Sequence, residues 1–311
     1  MDTDFLDGAL ADFAGYVAAD ELYDGPCCML SAVDNRRYKR LLDDVLDHAP
    51  THDDLRTFLR RLHTALAGRD LPLCGVTTAG SALSPTPLVE VCGDVPHHIC
   101  TFPILAAVTK AVLGAVASLR QGLAAHQPQR GKGRPSTPAA KQAARTTKRL
   151  AAQRTALYTS RYFFVQRHLN QTARKALGRV SRGVPQLRVR RALIEQVDAL
   201  FDRRCRPQTA LATLATLRRR VQRFTSLGDT LKKRFAPTLD KALTVLDDTL
   251  LPSTSNAVER GNRRYRKMHN HVYRVRTQAQ IRARLALDRW RAVQTEGRQQ
   301  TLASLHQARA G

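Results

Sequence analysis

Apolar positions change period along this chain, and the change divides it. Tyr16–Tyr23 (YVAADELY) and Pro26–Val33 (PCCMLSAV) have the alternation and composition of strands. Asp24-Gly25 between them predicts a hairpin. Arg36–Leu46 fits a strand or a helix. Thr51–Asp54 (THDD) has the form of a helix start with acids in its first turn. Leu55, Phe58, Leu59, Leu62 and Leu66 then share one helical face, and Gly68 is the expected stop. Leu71–Thr78 (LPLCGVTT) predicts a short buried strand. Ser84-Pro85 opens a short helix ending near Gly93, and His97–Phe102 (HHICTF) predicts a further strand. Pro103 opens a long helix running to about Leu123.

Hairpin, helix, strand, helix, strand, helix is an α/β plan, compatible with a mixed sheet flanked by helices. Gln127–Pro138 (QPQRGKGRPSTP) breaks it with proline, glycine and basic residues, as a linker does. From Ala139 to about Leu250 the pattern is helical and basic, as in Lys141–Leu169 and Thr209–Phe235, with an internal turn at Gly178–Pro185. The Pro252–Asn256 cluster precedes a last helical region that holds the single tryptophan, Trp290.

Charge sharpens the division. Residues 1–100 contain 8 Lys/Arg and 16 Asp/Glu, whereas residues 101–311 contain 43 and 10. So lopsided an excess favours a polyanionic partner, DNA or RNA, over a merely solvated surface. An anionic membrane is the other class a basic protein suggests. The most apolar stretch, Ile104–Leu119, is interrupted by Lys110, and no run reaches the roughly 18 residues that span a bilayer, so no membrane partner is expected. The start, MDTDFLDG, is acidic, unlike the basic start of a signal peptide. Cys27, Cys28, Cys74, Cys92, Cys100 and Cys205 form no paired CxxC pattern, which argues against zinc and for reduced thiols.

Two carboxylates stand out. Alternation places Asp20 on one strand face with Tyr16, Ala18 and Leu22, where a charge is costly unless it is paired or binds metal. The alternative is a strand-end acid, Asp20 or Glu21, paired with an arginine. Glu259 is the lone acid in PSTSNAVERGNRRYR, Pro252–Arg266. It fits the N3 position of a capping box with Asn256 as N-cap. It equally fits a metal-holding role on a helix face shared with Asn262, Arg263 and Arg266, whose side chains would contact phosphate. Tyr158, Tyr162, Phe163 and Phe164 suit either base stacking or a core.

Taken in order, DELYDG (Asp20–Gly25), SAVDNRRYKRLL (Ser31–Leu42), LDHAPTHDD (Leu46–Asp54), GVTTAGS (Gly75–Ser81), GDVPHHICTF (Gly93–Phe102), FDRRCRPQTALATLATLRRRVQRF (Phe201–Phe224) and LPSTSNAVERGNRRYRKMHNHVYRVRTQ (Leu251–Gln278) resemble the bacterial insertion-sequence transposases of the Asp-Asp-Glu (DDE) class. The resemblance runs from about Asp20 to the C-terminus. It implies an α/β fold: an RNase H-like mixed sheet flanked by helices and interrupted by a long basic all-helical insertion. Residues 1–125 would form the first part of the catalytic core, 126–138 a basic linker, 139–250 the DNA-contacting insertion and 251–311 the C-terminal helical part of the core. The implied chemistry is nicking and strand transfer at insertion-sequence ends, using two Mg²⁺ (or Mn²⁺) ions roughly 4 Å apart held by carboxylates. Asp20 matches the first catalytic aspartate and Glu259 the glutamate. Ala79 occupies the second aspartate's place, and Cys100-Thr101-Phe102-Pro103 departs from the Cys-acidic-Phe-His that the family leads one to expect. A degenerate copy of impaired activity is the consequence. Arg260, Asn262, Arg263, Arg264, Arg266, Lys267, Arg274 and Arg276 are the implied DNA contacts. A bacterial cytoplasmic, nucleoid-associated protein working as a homo-oligomer is also implied. The alternatives are a non-catalytic nucleic-acid-binding protein or inhibitor of an active transposase, and a nuclease with a substitute acid near position 79.

Overall fold

The computed structural model describes residues 3–24, 27–126, 128, 135–182, 184–221, 237–272, 277–289 and 291. The chain forms two compact units: Met1–Cys100 with Asp247–Gly311, here the sheet unit, and Thr101–Leu246, here the helical unit. The boundary precedes the long helix that the sequence reading grouped with the first part of the core.

In the sheet unit, α1 (Thr3–Leu10) leads into β1 (Tyr16–Asp24), β2 (Cys27–Asp34) and β3 (Arg40–Leu46), followed by α2 (His52–Ala67), β4 (Gly75–Thr78), α3 (Pro85–Cys92) and β5 (His97–Ile99). The sheet order is β3-β2-β1-β4-β5. β1, β2 and β3 are antiparallel neighbours, and Asp24 pairs with Cys27 across the predicted hairpin. β4 runs parallel to β1, and β5 runs parallel to β4. The fold class is therefore mixed α/β with helices flanking the sheet.

Each sheet face has its own core. On one, Val17, Cys28 and Leu30 pack with Leu6 and Leu10 of α1 and with Leu55, Phe58, Leu62 and Leu66 of α2. That is the helical face read from the sequence. Thr51 and Asp54 form a reciprocal capping box at its start. The helix ends at Gly68, the expected stop, which is the C-cap residue. Gly68 has φ −65°, and the left-handed residue is Asp70, with φ 52°. On the opposite face, Leu22, Met29 and Val45 pack with Tyr265, Ile281 and Leu285, while Ala18 and Val33 pack with Ala257 and Val258. Tyr265, Ala257 and Val258 belong to the helix Asn256–Val272; Ile281 and Leu285 lie in a helical stretch at 278–289. That stretch also covers an edge: Gln278 Nε2 and Arg282 Nη2 donate to the Val45 carbonyl of β3 at 2.6 and 3.1 Å.

The helical unit contains α4 (Thr101–Ala125), α5 (Pro138–Thr159), a 3₁₀ turn (Arg161–Phe164), α6 (Gln171–Val180), α7 (Pro185–Leu200), α8 (Pro207–Val221) and a 3₁₀ segment (Pro237–Leu246). The predicted run Lys141–Leu169 breaks at Ser160, and Gly178 lies inside α6 rather than in a turn. α4 starts two residues before Pro103, which shortens β5 to His97–Ile99. Among the described residues α4 is the one helix that is, by length and composition, long and apolar enough to cross a bilayer, with mean hydropathy 1.8 over an 18-residue window of which 22% is buried. Lys110 interrupts the apolar run without lowering its average enough. Within the helical unit α4 packs on α5, α7 and the 3₁₀ turn. No strand occurs among the described residues of this unit.

Candidate functional site

β1 and β4 bring the first two candidate positions together. Ala18 pairs with Thr77 and Ala19 with Thr78. One residue further along this parallel register, Asp20 and Ala79 are neighbours where β4 ends. Gly80, with φ +93°, then turns the chain away, and Ile99 lies 3.0 Å from where its Cβ would be, so a larger residue would be both strained and crowded. Parallel neighbours open their C-terminal ends at the same side of a sheet, where side chains from several strands can converge.

The third position arrives on α9 (Asn256–Val272). The loop before it is held by four side chains from elsewhere in the sheet unit. Thr77 Oγ1 donates to the Pro252 carbonyl at 3.3 Å, His98 Nε2 donates to the Ser253 carbonyl at 3.1 Å, and Asn35 Nδ2 donates to the Thr254 carbonyl at 3.2 Å. The Ser255 amide points at Cys100 Sγ, 3.4 Å away. The first helical bond runs from the Glu259 amide to the Ser255 carbonyl at 3.0 Å. Asn256 therefore lies inside the helix and is not its cap, and the capping-box alternative for Glu259 does not form. Ala257 and Val258 anchor this first turn on Ala18 and Val33.

One turn later Asn262 meets Asp20, its Nδ2 donating to Asp20 Oδ2 at 3.0 Å. Asn262 is only 4% exposed, and its Oδ1 is buried without a hydrogen-bond partner. The phosphate contact expected of Asn262 is thus not what it makes here, because its helix face turns inward with Val258 and Tyr265. Tyr265 in turn donates to Asp24 Oδ2 at 3.1 Å. Arg260, Arg263, Arg264, Arg266 and Lys267 are exposed on the remaining faces. Arg260 stacks over Tyr38 at 4.8 Å, and Arg264 pairs with Asp288 at 2.9 Å. Arg274, Arg276 and Trp290 lie outside the described residues.

Burial pushes the Asp20 carboxyl up to about 6, and the neighbouring carboxylates of Glu21 and Glu259 push the same way. The Glu21 amide and Asn262 pull it back. Among the described residues no arginine pairs with Asp20, and Glu259 is near enough to repel its charge. Glu21 faces the other side of the sheet, toward Ser84 and Ser81, and burial raises its carboxyl too. A cavity of about 20 Å³, room for roughly one water, lies beside Ala79, Glu21, Phe58 and Leu88. Among the described residues no three His, Cys, Asp or Glu side chains are grouped to hold a metal ion. Among the described residues neither Asp70, Asp94 nor another acid joins Asp20 and Glu259 in such a group.

A hard cation needs oxygen donors. Such donors here include the Asp20 and Glu259 carboxylates and two buried oxygens without partners, the Asn262 amide oxygen and Oγ of Ser31, which pairs with Asp20 in the sheet. They suit one cation completed by water; they do not suit a pair of ions, which would leave one ion without a carboxylate of its own.

The sequence reading missed the anchors of the α9 loop. His98 carried the only local signal: alternation in HHI sets it on an inward face, where it is fully buried. Comparison with known proteins is silent: no family model, no curated protein and no solved structure matches this chain.

Proposed function

We propose that this chain is a DNA-binding protein on the scaffold of a DDE transposase with an RNase H-like core, its phosphoryl-transfer chemistry impaired at position 79. The observation that carries the reading is the meeting of Asp20, Ala79 and the Glu259 helix where β4 ends beside the middle of β1. A mixed sheet with helices on both faces, and a helical unit entering between β5 and α9, agree with the plan the resemblance implies.

In this reading Asp20 and Glu259 hold Mg²⁺ or Mn²⁺, and Asn262 orients the Asp20 carboxylate. The bound ion would supply Lewis-acid polarisation of a phosphoryl oxygen. The exposed arginines of α9 position DNA by its phosphates. Asp20 is mostly ionised at neutral pH and protonated near pH 5, so cation binding weakens on acidification. The methyl group of Ala79 ligates nothing. The chain would act in the bacterial cytoplasm at the nucleoid, as a homo-oligomer if two DNA ends are paired.

A second reading, a non-catalytic DNA-binding inhibitor of an active relative, is favoured by the missing third carboxylate. Calorimetry with Mn²⁺ on the unaltered chain and on Ala79→Asp tests the catalytic scaffold. Ala79→Asp should bind about tenfold more tightly or better, since affinity follows the number of charged ligands. It should also nick duplex DNA with Mn²⁺, and Glu259→Gln should abolish both gains. Equal binding by the unaltered chain and Ala79→Asp would mean that position 79 is no lost ligand.

A further inference from the structure

We propose that the helical unit carries a cleft for the phosphates of a nucleic-acid backbone, between α6 and α7 and bounded by the loop at 165–170. The cleft measures about 660 Å³ and is lined by Arg167, His168, Arg174, Arg188, Arg191 and Glu195. Its size lies within the range of ligand pockets, roughly 300–1,000 Å³.

The four arginines are not equivalent. Arg191 is 7% exposed and is committed to structure. It donates to the carbonyls of Phe163 and Gln166 at 3.1 and 2.7 Å and to Glu195 Oε1 at 2.8 Å. It thereby fixes the turn that carries Arg167 and His168, and it neutralises the one acid in the lining. Arg167 is shared with Asp202 at 3.5 Å. The side chains of Arg174 and Arg188 have no hydrogen bond or ion pair among the described residues, yet both line the cleft. Two uncommitted guanidinium groups in one concavity are the arrangement that binds phosphate through paired N–H donors.

The surroundings favour backbone over base contact. Residues 101–246 hold 30 Lys/Arg and 5 Asp/Glu. Tyr158 and Tyr162 are exposed, but Arg161 sits 4.1 and 4.4 Å from their rings, and Arg120 sits 5.1 Å from Tyr158. Rings already stacked on guanidinium groups offer less free face to a base. The occupant is a phosphodiester chain bound without regard to sequence.

This inference rests on the nucleic-acid part of the proposed function and not on position 79. The test is fluorescence anisotropy of the full chain with a labelled DNA duplex of mixed sequence, titrated over NaCl concentration. Arg174→Gln/Arg188→Gln should lose about tenfold in affinity and flatten the salt dependence by about two in log–log slope, one for each lost phosphate contact. Arg145→Gln/Lys148→Gln on α5, equal in charge and exposed, should lose less than half as much. Glu195→Gln should tighten binding, a gain that damage to the fold cannot mimic. Equal losses in both pairs would reduce the cleft to general surface charge and overturn the proposal, as would an unchanged Arg174→Gln/Arg188→Gln. If the unaltered chain fails to bind the duplex, the DNA-binding reading falls together with the cleft.

Discussion

The sheet unit contains 21 Lys/Arg and 21 Asp/Glu, while the helical unit contains 30 and 5, so the whole net charge of +25 belongs to the helical unit. The two use charge differently. In the sheet unit arginines are matched locally: Arg56 with Asp53 and Glu90, Arg61 with Asp44, Arg69 with Asp7, Arg289 with the buried Asp43. The exposed pairs, those of Arg56, Arg61 and Arg69, contribute little each, about 0–1 kcal/mol, but they leave little field. In the helical unit Arg167 pairs with Asp202, Arg191 with Glu195 and Arg218 with Asp240, but 30 basic residues far outnumber the 5 acids that could partner them. Unmatched charge destabilises a fold slightly and attracts polyanions strongly. The contrast separates a candidate chemical site in a neutral sheet from a candidate binding surface in a basic helical unit.

The largest expected effects test whether the two units are also separate in stability. Phe58 in α2 and Phe164 in the 3₁₀ turn are 2% and 0% exposed. Truncating either to alanine should cost about 3–5 kcal/mol. Hydrogen exchange read by mass spectrometry should show Phe58→Ala exposing β1–β3 and α2, and Phe164→Ala exposing α5–α7. Loss of protection throughout the chain in both variants would mean that the units unfold as one, and the comparison would then concern charge alone.

Next in size is Asp20. Its carboxyl is at about 6 in the fold against an ordinary 3.8, so the folded state holds the proton more tightly than the unfolded state. Its contribution to stability is complete below about pH 4 and is lost as pH rises to about 6, leaving a cost of about 3 kcal/mol at neutral pH. Asp20→Asn should therefore stabilise the chain at pH 7, by up to that amount, and change little at pH 4. Denaturant melts across this range measure it. A loss of stability at pH 7 would show that the carboxylate is neutralised by a partner. Asp198 in the helical unit is also raised by burial, but Arg167, Arg191 and His168 pull it back, so Asp198→Asn should show the same sign with a smaller gain.

Local patterns carried much of the fold. The hairpin strands, the α2 face with its Thr51 start, and α3 ending at Gly93 are all set by neighbours within a few residues, and they lie where alternation and helical spacing put them. β3 resolves the ambiguity at Arg36–Leu46, and pairing with β2 rather than propensity decides it. β4 is shorter than LPLCGVTT suggested, because only Gly75–Thr78 finds partners in β1 and β5. α1 was not anticipated; its eight residues are stabilised by packing on the sheet, which no short window reveals. At the site, alternation exposed the oddity of Asp20. The inward turn of Asn262 and the anchoring of Pro252–Thr254 by Thr77, His98 and Asn35 depend on contacts between residues far apart in the chain, and such contacts leave no mark on local period.

The smallest effect compares one device in both units. Thr51 caps α2 reciprocally: its Oγ1 accepts from the Asp54 amide at 3.2 Å, while Asp54 Oδ2 accepts from the Thr51 amide at 2.8 Å. Thr137 caps α5 alone, accepting from the Ala140 amide at 3.2 Å, and no acid occupies the first turn of α5. Removing a capping hydroxyl costs about 0.5–2 kcal/mol. Thr51→Ala also leaves the Asp54 carboxylate without the hydroxyl that donates to it at 2.6 Å. Its cost should fall near the upper end of that range, and that of Thr137→Ala near the lower. Chemical denaturation of both variants decides the order. A larger loss from Thr137→Ala would mean that a cap matters more where helices alone carry the core than where a sheet supports them, and that the charge contrast has a counterpart in how each unit depends on its helix ends.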